Sequence, residues 1–198
     1  FMLPGLDGLR AIAVLLVIVY HLWPTSVPGG MIGVDIFFVI SGYLITALLL
    51  REGAVTGRIN LLLFWKRRAR RLLPAIALLI LVTGPIALAI GGDIQVNLGR
   101  QLTGAGTFSS NWLSIFSGND YFAQTSPELF TNFWSLAVEE QFYLFWPLLL
   151  VAAGVILGRR WRQFSLIIFI AIIASLTSGT IMLAFGAPIS RIYYGTDT

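Results

Sequence analysis

The hydrophobic positions of this chain fall into long unbroken runs, not into the alternation or the three-to-four spacing of a soluble fold. Leu72 to Gly92 carries no charge over 21 residues, Gln141 to Gly158 none over 18, and Gln163 to Ser190 none over 28. Met31 to Leu50 holds one acid, Asp35, near its start. About 20 apolar residues cross the hydrocarbon core of a bilayer as a helix. The runs therefore predict membrane helices over 31–50, 72–91, 133–157 and 164–185, the third of these only if it accommodates Glu139 and Glu140. A shorter span over 7–23 is built on the ten apolar residues Ala11 to Tyr20 and closed by Pro24 and the Pro28-Gly29-Gly30 turn. Asp7 ahead of Arg10, and the bulky His21-Leu22-Trp23-Pro24 that follows, argue against a cleaved signal peptide. The stretch between Arg100 and Asp120 is uncharged but filled with Thr, Ser, Gly and Asn, and is expected to be an outside loop with a short interfacial or re-entrant helix. The predicted fold is all-α, a polytopic integral membrane helix bundle with about five transmembrane helices.

Composition sharpens that expectation. Hydrophobic residues make up 57% of the 198 positions and charged residues 11%, less than half the roughly 25% of a soluble domain. Too few charges remain to cover a water-facing surface, and the chain is far too apolar for disorder. With no cysteine, disulfide scaffolds, Cys-based zinc sites and acyl-cysteine chemistry drop out.

The placement of charge then gives an orientation. With the N-terminus inside, Arg51, Arg58, Lys66, Arg67, Arg68, Arg70, Arg71, Arg159, Arg160 and Arg162 all lie on the cytoplasmic side. Arg10 sits at the inner end of the first helix, and only Arg100 and Arg191 lie outside. That bias is what the positive-inside rule requires.

Ionisable residues inside membrane helices are costly and point to function. His21, the one histidine, follows Arg10 by eleven positions, which on a helix is about 16 Å along and within about 20° of the same face. The pair draws a stripe from an inner cation to an outer titratable ring; equally, His21 could be a ring satisfied by a backbone carbonyl beside Tyr20 and Trp23. Asp35 opens the second helix on the outer side, where the helix dipole also favours an acid. Glu139, Glu140 and Gln141 interrupt an aromatic run early in the helix over 133–157, near its outer end. Adjacent side chains point about 100° apart, so the two acids cannot both serve as caps, and a bound polar group is the better explanation. The basic run Lys66 to Arg71 marks the inner mouth of the helix over 72–91. It would anchor topology and attract anionic lipids, but four arginines in five residues also suit bidentate contact with phosphates. No Walker motif, dinucleotide fingerprint, metal-spaced ligand set, nucleophile elbow or internal repeat accompanies them.

Four blocks together resemble the signature of the membrane acyltransferase-3 family. They are Leu6-Asp7-Gly8-Leu9-Arg10 with His21, Gly33 through Ile45, Phe64 through Pro74 with its paired arginines, and Phe133 through Tyr143. The resemblance implies transfer of an acyl group, commonly acetyl, from cytosolic acyl-CoA to a hydroxyl of a cell-envelope carbohydrate, in the bacterial cytoplasmic membrane. By resemblance, His21, Asp35, Glu139 and Glu140 are catalytic, and Arg10, Arg67, Arg68, Arg70 and Arg71 bind acyl-CoA. Tyr143 and Gln141 would meet the acceptor, and His21 would act as general base or as transient acyl carrier. Acyl-CoA enters as donor substrate, with no cofactor, metal or nucleic acid; membrane lipids and the glycan acceptor are the other partners. The chain is expected to be the N-terminal half of a single acyltransferase-3 transmembrane domain. The rival expectation is a transporter or flippase that uses the same buried charges.

Overall fold

The computed structural model describes residues 4–23, 26–117 and 129–157, with residues 177, 181, 184 and 185 isolated beyond them. The expected helix over 164–185 lies outside the described residues apart from these positions. Six α-helices account for nearly all of the described chain: α1 (Pro4–Leu22), α2 (Ile32–Thr56), α3 (Leu61–Ile90), α4 (Leu98–Thr107), α5 (Ser110–Phe116) and α6 (Phe133–Leu157). α1, α2, α3 and α6 are long and apolar enough to cross a membrane. The fold is thus the all-α membrane class that the hydrophobic runs predict. The chain divides into two compact units at Ile59 and Asn60.

The first unit is a helical hairpin. Between α1 and α2 the chain turns through a short 3-10 segment, Pro28–Met31, and two glycines let the backbones meet. A Cβ on Gly33 would stand 2.4 Å from the Ala13 carbonyl oxygen, and one on Gly30 2.6 Å from that of Leu16. Ala13 is fully buried in this contact. Small residues at the crossing are what membrane helices use to pack, because lipid offers no hydrophobic drive for larger side chains. α2 ends at Gly57, whose φ of 74° closes the helix with its amide on the Gly53 carbonyl at 2.9 Å.

The second unit is organised by α3. Its start departs from the expected 72–91: the Asn60 side chain accepts from the Leu63 amide at 3.0 Å and begins the helix at Leu61. Lys and Arg are good helix formers, so Lys66 to Arg71 lie within the helix and not at its mouth. Thirty residues make α3 about 45 Å long, more than the roughly 30 Å of hydrocarbon, so its basic first turns can lie beyond the apolar layer. Pro74 and Pro85 sit inside it.

After Ile90 the chain does not cross again. It turns through Gly92–Gln95, and α4 runs back along α3, with Leu102 against Gly84 and Ile80 against Gly106. Phe108, in the left-handed region at φ 54°, ends α4. α5 then returns, bringing Ser117 to the Arg100 guanidinium. At about 15 and 10 Å, neither helix can span the bilayer, so the segment is the re-entrant element expected for this stretch. Phe130 closes the unit by packing with Ala87, Leu98 and Ala105, and its amide donates to the buried Gln101 side chain at 3.1 Å. α6 begins from that end, with Pro147 fully buried in its second half.

Candidate functional site

The polar residues of the second unit gather where α3, the end of α4 and α6 meet. One face of α3 carries Trp65, Arg68, Ala69, Leu72 and Leu73, spaced as neighbours on a helix surface. With Thr107 and Phe108 and the face of α6 around Glu140 and Tyr143, they line a cleft of about 270 Å³. Its walls are mostly apolar, and its charge is concentrated at one point.

That point is Arg68. Its Nε donates to both carboxylate oxygens of Glu140, at 2.9 and 3.1 Å, and its Nη2 donates to Oε1 at 2.6 Å. The guanidinium carbon lies 3.1 Å from the centroid of the Tyr143 ring, a cation–π arrangement. Glu139 Oε1 is 3.9 Å from the same Nη2 and accepts the Tyr143 hydroxyl. Trp65 holds the backbone there, its Nε1 donating to the Tyr143 carbonyl at 3.1 Å. Two carboxylates against one guanidinium leave one formal negative charge in an apolar cleft. Sequence spacing put Arg68 at the inner mouth and Glu140 near the outer side; their contact places both at one depth. The correction follows from the early start of α3, which makes Arg68 a mid-helix residue able to reach α6.

Gln141, expected at the acceptor, has its amide fully engaged by the re-entrant segment. Nε2 donates to the Phe108 carbonyl at 2.8 Å and to Asn111 Oδ1 at 3.0 Å. Oε1 accepts from Trp112 Nε1 at 3.1 Å. Asn111 is fully buried, and Phe108 has a helix-terminal carbonyl that no helical amide can satisfy. Gln141 therefore fastens one wall of the cleft to α6. Lys66, Arg67, Arg70 and Arg71 are exposed on the other faces of α3.

The first unit carries Arg10, His21 and Asp35. α1 is continuous from Pro4 to Leu22, so Arg10 and His21 share one face about 16 Å apart. His21 Nδ1 lies 2.8 Å from the Val17 carbonyl oxygen. A carbonyl can only accept, so Nδ1 carries the proton and the neutral ring leaves Nε2 as its basic nitrogen. Both sequence readings of His21 thus meet in one contact: the carbonyl satisfies one nitrogen and thereby fixes the tautomer. Arg10 Nε is buried without a hydrogen-bond partner among the described residues. Asp35 stands exposed in the first turn of α2.

Sequence reasoning passed over Trp65, Gln101, Phe108, Asn111 and Trp112. Gln101 and Asn111 had a usable signal, since an uncharged polar side chain in a helix that enters the bilayer needs a partner. Phe108 had none, because a left-handed phenylalanine looks like any other apolar residue in sequence.

Long apolar helices with a charged cluster held at mid-helix define an integral membrane protein with a polar cleft among its helices. The profile of the acyltransferase domain known as acyltransferase-3 matches residues 3–196, and the chain belongs to that family. The O-acetyltransferase OatA of Staphylococcus aureus strain NCTC 8325 / PS 47 is 44% identical over 198 residues, covering 99% of this chain and 32% of that protein. OatA of strain COL matches to the same extent. SACOL0978 of strain COL, whose name also carries the word O-acetyltransferase, is 44% identical over 196 residues, again 99% of this chain and 32% of that protein. The chain thus spans about a third of the length of the curated relatives it matches. No solved structure matches it.

Proposed function

We propose that this chain is part of an O-acyltransferase that moves an acyl group, acetyl in the simplest case, from cytosolic acyl-CoA to a hydroxyl of a cell-envelope carbohydrate. It would lie in the bacterial cytoplasmic membrane with its N-terminus inside, the orientation that the distribution of Lys and Arg favours. Lys66, Arg67, Arg70 and Arg71 then face the cytosol and hold the donor phosphates. The observation that carries the mechanism is the His21 tautomer: Nδ1 on the Val17 carbonyl, Nε2 basic. Nε2 takes the proton of the acceptor hydroxyl as its oxygen attacks the thioester carbonyl. The C–O bond forms, the C–S bond breaks, and the proton passes to the departing thiolate. An unperturbed imidazole pKa near 6.5 suits both proton transfers. Arg10, on the same face of α1, lies nearer the donor side, and Asp35 supplies a carboxylate on the side where the acceptor arrives.

The test is acyl-CoA-dependent acyl transfer by the full-length protein in proteoliposomes, compared with His21→Ala. The variant should insert normally and release no CoA thiol. Full transfer by His21→Ala would remove the histidine from the mechanism, and substrate uptake independent of acyl-CoA would replace the enzyme reading with transport.

A further inference from the structure

We infer that Arg68 is a positioning residue that holds Glu140 in the cleft, and that it stands apart from the arginines that hold donor phosphates. The inference rests on the acyl-CoA reading proposed above and divides the basic run by what each side chain faces. Lys66, Arg67, Arg70 and Arg71 are exposed. Arg68 shares the cleft-facing stripe with Trp65, Ala69 and Leu72. Its side chain is 21% exposed and that of Glu140 is 14% exposed.

The geometry of the guanidinium makes the division chemical. Arginine binds a phosphate through its planar fork of N–H groups. In Arg68 one edge of that fork, Nε and Nη2, is closed on the Glu140 carboxylate. One face of the plane is covered by the Tyr143 ring, and Glu139 adds a second negative charge at 3.9 Å. A phosphate approaching this group would meet two carboxylates before it reached the cation. Arg68 therefore presents to the cleft a fixed carboxylate, not a free cation. Glu140 cannot rotate without breaking three hydrogen bonds, and Tyr143, itself tied to Glu139 and Trp65, fixes the guanidinium in turn. The pair gives the cleft an anionic hydrogen-bond acceptor of set direction, the kind of group that orients a sugar hydroxyl or a protonated base.

The test separates donor affinity from turnover in the full-length protein, with CoA binding by calorimetry and acetyl transfer from acetyl-CoA as readouts. Arg70→Gln and Arg71→Gln should each weaken CoA binding and raise KM for acetyl-CoA, by roughly fivefold or more for one lost charge-assisted contact. Arg68→Gln should keep CoA affinity within about twofold and lower kcat by roughly tenfold or more. Arg68→Lys keeps the charge but cannot span both oxygens of Glu140, and should show the same split; it decides the matter if Arg68→Gln does not fold. Loss of CoA affinity in either Arg68 variant matching that in Arg70→Gln would overturn the inference. A wild-type protein that binds no CoA would instead overturn the proposed donor, a distinct result from the same titration.

Discussion

Two kinds of polar side chain lie within these helices, and they behave in opposite ways. Thr46, Thr83, Thr103 and Thr107 each return their hydroxyl to the carbonyl four residues back, at 2.7 to 2.8 Å. Toward lipid they present a methyl group and act as apolar residues. Thr83→Val should therefore change thermal stability in detergent by no more than about 0.5 kcal/mol. Glu140 is the contrary case, since it neutralises a guanidinium that is mostly shielded from water. Glu140→Gln leaves Arg68 without its bidentate partner and should destabilise the second unit by on the order of 3 kcal/mol, read as a lowered midpoint in the same melts. Pairing that change with Arg68→Gln should cost less than the sum of the two, because the first removes what the second would break. Of this cluster, the sequence shows that Glu139 and Glu140 need a polar partner. Which partner is invisible there, because 72 residues separate Arg68 from Glu140 and no periodicity connects two helices.

The elements differ in how well their pattern announces them. The hairpin of α1 and α2 hinges on Gly33, where even a methyl group would strike the Ala13 carbonyl at 2.4 Å. Gly33→Leu should drive the helices apart at a cost of about 2–3 kcal/mol, seen as earlier unfolding and faster proteolysis between residues 23 and 31. α6 runs from Phe133 to Leu157, where its apolar run places it despite two acids. α3 begins eleven residues before its uncharged run, because hydropathy marks where lipid begins and not where the helix does. α4 and α5 escape periodicity for another reason. They are short, rich in Gly and Ser, and held by Gln141 and Gln101 through tertiary hydrogen bonds. Gln141→Leu removes the acceptor of Trp112 and the donor to Phe108 together, and should loosen α5 without unfolding α6. Faster hydrogen exchange confined to residues 108–117 would show it.

For the molecule as a whole, the absence of native cysteine makes single-cysteine labelling a clean measure of topology. With the proposed orientation, Asp93→Cys and Leu129→Cys should both react with a membrane-impermeant maleimide added outside intact cells, and Arg58→Cys only after lysis. Labelling of Asp93→Cys from one side and Leu129→Cys from the other would mean that the segment between them crosses the bilayer. The fold-back of α4 and α5 predicts otherwise, because Phe130 returns to Ala87 at the end of α3 from which α4 set out. This gives the segment an even parity: it enters and leaves by the same face and adds nothing to the count of crossings. Residues could be inserted into it or removed from it without turning any later helix over. The region that forms one wall of the cleft is thus free to vary in length and sequence while the sidedness of everything downstream stays fixed.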